Sequence, residues 1–279
     1  MASTVRRPVL VDHGPPLALL GASLLLGATA MAQSAGGAPA PAADTDEHRI
    51  AELVEANHIL ANEHVVDGFG HISVRSAKNP KHYYLFRSRA PGLVTVADIM
   101  EFDENSQPVD QKGRAMYSER FIHGEIFRAR PDVIAVVHSH SPDVIPFTVT
   151  DAPFQGLVHV AGFLGTTPVP VFEIRDVAGP QNDMLVRDVK TAAGLAKVLG
   201  DRTVALMRGH GMAVTGPSVP MAVLRAIYTQ LNARIETEAL KLGKPVFLNA
   251  AEASRVDSAD RPWEIWAADA DRALRGPSQ

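Results

Sequence analysis

The spacing of apolar positions predicts four helices along the chain. Ile50, Leu53, Val54, Leu60 and Ala61 recur at helical spacing, so a first helix is expected to begin near Thr45 and to end before Gly68. The other three are expected over residues 118–129 with Ser118 as N-cap, from a cap at Asn182 to Gly200, and over about 219–242.

The strand signals fall between these helices. Residues 71–75 and 83–86 alternate or are rich in aromatic residues, residues 93–113 indicate short strands and turns, 134–140 is a β-branched apolar run, and 204–207 and 212–214 flank a glycine-rich bend. Helices and strands do not alternate as regular βαβ units. The order therefore favours an α/β sheet flanked by helices over a simple doubly wound fold.

The first 44 residues differ in composition from the rest. Arg6 and Arg7 precede an apolar stretch that ends in Ala30-Met31-Ala32, which predicts a cleavable signal peptide over residues 1–32. The arginine pair resembles a twin-arginine signal only loosely, so the Sec and twin-arginine routes both stay open, as does an uncleaved anchor. Residues 33–44 are expected to form a disordered linker, 45–250 the domain, and 251–279 a charged C-terminal tail. The mature protein is thus expected to be periplasmic or secreted and not membrane-bound.

Composition limits the kinds of partner and of metal ligand that the chain can have. The formal net charge of −4 over 279 residues gives no basic footprint for nucleic acid. The chain has no cysteine, so it has no disulfide, and any metal site must use histidine or carboxylate ligands.

Three histidines and one glutamate stand out. His138 and His140 are two residues apart in the apolar run, so both side chains point to one face of a strand and can bind one ion; a hydrogen-bonded core pair is the alternative. His210 lies between Gly209 and Gly211, where a turn residue is the alternative to a ligand. Glu119 lies at a predicted helix start, where a partner for the helix dipole is the alternative to a functional carboxylate.

Taken together, these segments resemble the class II aldolase/adducin family. The resemblance rests on residues 118–119, 130–132 and 135–140 as its central motif, on Arg208-Gly209-His210-Gly211 as its third-histidine motif, and on residues 70–75 as its first motif. It covers roughly residues 46–245. It implies a three-layer α/β/α domain with a central mixed, mainly antiparallel sheet.

The resemblance also implies a site and an assembly. His138, His140 and His210 would bind a divalent ion, zinc in the first place, with manganese, cobalt or iron as alternatives. Glu119 would bind the same ion or act as acid/base. A three-histidine site leaves a position open for a small-molecule substrate. The assembly implied is a homotetramer with sites at subunit interfaces.

The chain departs from the sugar-phosphate aldolases of this family. His71 replaces their phosphate-binding asparagine, the loop at 86–92 contains Arg87 and Arg89, and of the paired serines only Ser118 is kept. A guanidinium binds a carboxylate in a fork, so these arginines favour an unphosphorylated acid, although each could instead face solvent.

Two further histidines are candidates. Counting on from His140, the position of the aldolases' tyrosine proton donor, which comes from a neighbouring subunit, falls on His159. His123 is four residues after Glu119 and shares its helix face, so it is expected to line the pocket.

The loop at residues 86–92 resembles that of the branch of the family that includes decarboxylases of dihydroxylated aromatic acids. The leading hypothesis is a metal-dependent carbon–carbon lyase, an aldolase or a decarboxylase, acting on a hydroxy, oxo or aromatic carboxylic acid. An Fe(II) oxygenase or a dehydratase on the same scaffold is an alternative. A non-catalytic, adducin-like interaction domain is a third.

Overall fold

The computed structural model describes residues 44–253 and 258–275. The predicted signal peptide, and the predicted linker except for Asp44, lie outside these residues. The helices are α1 (Asp46–Asn62), α2 (Arg120–Ala129), α3 (Ile145–Thr148), α4 (Arg175–Ala178), α5 (Val189–Leu199), α6 (Val219–Leu242) and α7 (Asp260–Arg275). The strands are β1 (His71–Arg75), β2 (Tyr83–Phe86), β3 (Ile99–Phe102), β4 (Ala135–Ser139), β5 (Val171–Phe172), β6 (Val204–Met207) and β7 (Gly211–Gly216), and short 3₁₀ helices cover Pro91–Leu93, Val96–Asp98 and His159–Leu164.

The seven strands form one sheet in the order β3-β2-β1-β4-β7-β6-β5. Every neighbouring pair is antiparallel except β5 and β6, which are parallel. The predicted mixed, mainly antiparallel sheet is therefore confirmed. Strands β4 and β7 lie at its centre.

Helices cover both faces of the sheet, and the side-chain alternation of β4 shows why. Ala135 and Val137 point to one face and join the apolar core formed with α1, α6 and α7. Val136 points to the other face and joins the core formed with α2 and α5. A central strand buried on both faces favours consecutive apolar residues, and Ala135, Val136 and Val137 provide them before the buried His138 and Ser139. The expected three-layer α/β/α arrangement is confirmed.

Two predicted helix caps were wrong. Helix α2 begins one residue later than Ser118 would place it, with Glu119 at the N-cap and no side-chain cap bond. Asn182 does not start α5, because its side chain accepts from the backbone of Met184 and donates to Gly179 within a turn. The helix is capped by Asp188, whose carboxylate accepts from Thr191 N. Asn and Asp favour turns as well as caps, so composition alone did not separate the two positions.

The C-terminal tail contains a helix that the charge pattern did not predict. Helix α7 packs against α1, and Trp263 and Trp266 lie partly buried against the core on that side of the sheet. Within the part of the chain that the structure describes, no helix has the length and apolar character needed to cross a membrane.

Candidate metal centre

The end of β4 places two histidines over the α2/α5 side of the sheet. His138 lies in the strand opposite His71 of β1 and is fully buried. His140 follows the strand and shares the direction of His138, as the two-residue spacing predicts. The register with β1 and β7 on either side therefore fixes the position of the pair.

The turn between β6 and β7 brings in the third histidine. Gly209 has a φ of 61°, a conformation that favours glycine. At Gly211 an added Cβ would lie only 1.9 Å from the carbonyl oxygen of Ser139, so only glycine permits this close approach of β7 to β4. The two glycines thus bring the His210 imidazole against His140.

Glu119 completes the group from the start of α2. Its side chain does not cap the helix, because Oε1 accepts from the backbone N–H of Val186 at 2.9 Å. Its Oε2 lies 3.7 Å from Nε2 of His138 and 3.6 Å from Nε2 of His210. These contacts go beyond the alternative in which Glu119 is only a partner for the helix dipole.

The four side chains converge on one point. Nε2 of His140 lies 3.0 Å from Nε2 of His138 and 3.0 Å from Nε2 of His210. One ligand atom from each of the three histidines and Glu119 lies within 4.8 Å of all the others. Nδ1 of His138 donates to the carbonyl of Met212 at 3.0 Å, so its Nε2 carries a lone pair toward the common point. Nitrogens this close are near the separation expected for ligands about 2 Å from one ion.

The protonation states suit a cation site. Burial lowers the pKa of His138 to about 3 and lowers the pKa of His140 below its ordinary value. Burial opposes ionisation of Glu119, but contact with His210, the neighbouring His138 and the Val186 N–H outweigh burial and lower its pKa to about 2. Neutral imidazoles and an ionised carboxylate are the forms that bind metal.

A cavity of about 600 Å³ opens beside this group. Glu119, His140, His71, Ser118 and Arg89 are among the residues that line it, which places five of the predicted site residues on one surface. Arg89 also contacts Asp98, through Nη1 at 3.2 Å from Oδ2.

Besides His138 and His210 of the candidate metal centre, three other predicted residues lie off the cavity wall. Arg87 binds the buried Asp98 through Nε, 2.5 Å from Oδ1, and does not line the cavity. His123 is fully buried behind His71, with 2.6 Å between His71 Nδ1 and His123 Nε2, so it does not line the cavity as expected. His159 is exposed at the start of the 3₁₀ helix His159–Leu164 and does not reach the cavity of its own chain.

Several wall residues were not predicted from the sequence. Phe69 stacks on His140 with ring centroids 6.3 Å apart, and Tyr117 packs on His71 with centroids 4.7 Å apart. An aromatic residue between Gly68 and Gly70 was a signal that could have identified Phe69. Met116 and Leu185 also line the cavity, and Leu185 comes from a loop with no motif of its own.

The chain belongs to the class II aldolase and adducin family. The family model for the class II aldolase and adducin N-terminal domain matches residues 51–237. This match covers the three histidines, Glu119 and the strands that carry them.

Curated relatives include decarboxylases. The chain is 39% identical over 202 residues to decarboxylase tropJ from Talaromyces stipitatus, covering 68% of this chain and 76% of that protein. It is 31% identical over 202 residues to a 3,4-dihydroxyphthalate decarboxylase from Arthrobacter keyseri, covering 67% and 77%. Among solved structures, an aldolase II superfamily protein from Pseudomonas syringae shares the fold, with a TM-score of 0.69 and 20% identity over 84% of this chain and 96% of that one.

Proposed function

We propose that this protein is a metal-dependent decarboxylase of hydroxylated aromatic carboxylic acids. The observation that carries the proposal is the cavity in which His140 and Glu119 lie beside Arg89 and aromatic side chains. The similarity to two decarboxylases supports the reaction class, and the name of the second supports a dihydroxylated aromatic acid.

The donor set fits a divalent ion. Three imidazoles with converging Nε2 atoms and one carboxylate favour zinc, and manganese, cobalt or iron would suit the same ligands. When bound, the ion supplies a Lewis acid that stabilises negative charge on the substrate as a carbon–carbon bond breaks. His138, His140 and His210 would bind it, and Glu119 would either bind it or leave it when substrate enters.

The cavity wall suits an aromatic acid. Arg89 offers a guanidinium for a carboxylate, and its contact with Asp98 holds it in place. Phe69 and Tyr117 contribute aromatic rings to the same lining. Ser118 and His71 add polar groups along the same wall.

Decarboxylation also requires a proton at the carbon that loses carbon dioxide. The electron pair of the broken bond stays on that carbon, which then accepts a proton. Glu119 lines the cavity and is ionised at rest, so it can take a proton from a hydroxyl group of the bound acid and pass that proton to the carbon. His159 is proposed as a second donor that acts on the cavity of a neighbouring subunit in a homotetramer, because its exposed position leaves it free to do so.

We also propose that the mature protein works in the periplasm or outside the cell. The composition of residues 1–32 supports export. An exported enzyme would meet free acids more readily than phosphorylated sugars.

The test is release of carbon dioxide by zinc-loaded protein from a panel of mono- and dihydroxylated benzoic and phthalic acids, with and without oxygen. We expect one carbon dioxide per substrate consumed, without oxygen, and no cleavage of sugar phosphates. Strict dependence on oxygen would contradict the proposal in favour of an oxygenase. Inactivity of the metal-loaded protein on every acid would favour an interaction domain.

Two arginine variants test the carboxylate site. Arg89→Met is expected to raise KM by about tenfold with a small change in kcat, because a charged hydrogen bond to bound substrate is lost. Arg87→Met is the matched control, since Arg87 shares the contact with Asp98 but lies off the cavity wall. Equal effects of the two variants would contradict a direct role of Arg89.

A further inference from the structure

Three side chains form a line of hydrogen bonds behind the cavity wall. His71 lines the cavity, and its Nδ1 lies 2.6 Å from Nε2 of His123. The other ring nitrogen of His123, Nδ1, lies 2.6 Å from Oγ of Ser73. His71 and Ser73 are two residues apart on β1 and therefore share one face of the sheet, where His123 of α2 fits between them.

The hydroxyl of Ser73 determines the direction of these hydrogen bonds, that is, which atom donates and which accepts in each. Ser73 is fully buried, and its Oγ has no hydrogen-bond partner other than His123 within residues 44–253 and 258–275. A buried hydroxyl without an acceptor is unfavourable, so its hydrogen lies toward Nδ1 of His123. That nitrogen must then carry a lone pair.

The remaining hydrogens follow from the chemistry of a neutral imidazole, which carries one hydrogen on one of its two nitrogens. Because its Nδ1 is unprotonated, His123 carries its hydrogen on Nε2, and this N–H donates a hydrogen bond to Nδ1 of His71. His71 in turn keeps its own hydrogen on Nε2. That atom makes no hydrogen bond within the part of the chain that the structure describes, and the residue borders the cavity.

We infer that Ser73 and His123 hold His71 in the Nε2–H tautomer, so that His71 presents a hydrogen-bond donor to an anionic oxygen of the bound acid. His71 is then a substrate-binding residue, and Ser73 and His123 are positioning residues that act through it. The reverse direction would present a lone pair, which repels an anionic oxygen. The inference that this oxygen belongs to a bound acid rests on the proposed function, whereas the inferred tautomer of His71 does not.

The tautomer is measured by ¹⁵N NMR of histidine side chains in the full chain, both metal-free and loaded with Zn²⁺. We expect a protonated, pyrrole-type Nε2 and a bare, pyridine-type Nδ1 for His71 and for His123, with assignments from His71→Gln and His123→Gln. A bare Nε2 on His71 in the wild type would overturn the inference.

Ser73→Ala removes the group that sets the direction. Both directions then become accessible, and we expect the His71 nitrogen shifts to move toward values averaged over two tautomers. Thr229→Val is the matched control, because it also removes a buried hydroxyl, one that donates to the Arg225 carbonyl within α6. Unchanged His71 shifts in Ser73→Ala would overturn the role of Ser73.

The role toward substrate is tested by binding of salicylate to the Zn²⁺-loaded protein, followed by calorimetry. His71→Met removes the donor at similar size and is expected to weaken salicylate binding by about tenfold or more. His71→Gln keeps an N–H donor and is expected to retain most of the affinity. Equal losses in the two variants would overturn the donor role.

Failure of the two proposals gives different results. If the wild type binds no hydroxylated aromatic acid, the proposed function and the donor role toward substrate both fail. The NMR measurement needs no substrate, so it decides the tautomer in either case.

Discussion

Two buried glutamates in this molecule experience opposite environments. Glu119 lies against two imidazoles and accepts from a backbone N–H, and these partners lower its pKa to about 2 against the effect of burial. Glu236 of α6 is fully buried, and burial raises its pKa to about 8. Among the residues that the structure describes, its one side-chain hydrogen-bond partner is the amide of Asn232, at 3.3 Å.

The difference shows what keeps a buried carboxylate ionised. Burial alone favours the neutral acid, so Glu236 is held as a protonated part of the packing. At Glu119 a group of nitrogen partners stabilises the charged form, and the histidine nitrogens among them converge with the carboxylate on one point in space. Glu236 instead supports structure, since its partner Asn232 accepts from the backbone N–H groups of Leu157 and Val158 beside His159.

The largest effect is expected from removing an imidazole of the candidate metal centre. His138→Ala should abolish stoichiometric metal binding and lower activity by more than the roughly 10–100-fold that loss of an outer partner typically causes. His82→Ala is the control, because His82 pairs with Glu101 away from the site. Elemental analysis of both purified variants is the measurement, and full metal content in His138→Ala would contradict the assigned site.

The next effect concerns the two carboxylates directly. Glu119→Gln keeps an acceptor for the Val186 N–H but cannot transfer a proton, so kcat is expected to fall by about a hundredfold or more. Glu236→Gln should lower kcat far less, because within the described chain Glu236 neither lines the cavity nor makes a side-chain hydrogen bond to a residue that does. Steady-state kinetics, with circular dichroism to check the fold, separates the two. Similar losses of kcat in the two variants would contradict a role for Glu119 that Glu236 does not share.

The smallest effect is a pH dependence of stability. Folded Glu236 keeps its proton up to about pH 8, whereas the unfolded residue loses it near 4.5, so between these values the folded state binds more protons. Stability from this group is thus fully present below pH 4.5 and is lost as the pH rises through 8, by roughly 1–4 kcal/mol. Urea unfolding of wild type and Glu236→Gln across this range measures it, and the decline should be weaker in the variant. Parallel pH curves would show that Glu236 is not the group responsible.

Much of the fold could be predicted from local patterns. The 3.6-residue period of α1 and α6 and the apolar run of β4 identify elements whose burial is continuous along the chain. The caps of α2 and α5 could not be predicted, because Glu119 and Asn182 use their side chains for contacts with residues 186 and 179. Helix α7 was not predicted, although Trp263, Trp266, Ala267 and Ala270 follow helical spacing and form the face that packs toward the core beside α1.

The sequence by itself determined the residues of the candidate metal centre. The two-residue spacing of His138 and His140, the glycines around His210 and the position of Glu119 are local features, and they agree with the family pattern. The tertiary structure alone decided which neighbours belong to the cavity. It placed Arg89 on the wall and Arg87 against Asp98, and it placed His123 behind His71, because these outcomes depend on the packing of α2 and the 3₁₀ segment Val96–Asp98 against the sheet, not on spacing along the chain.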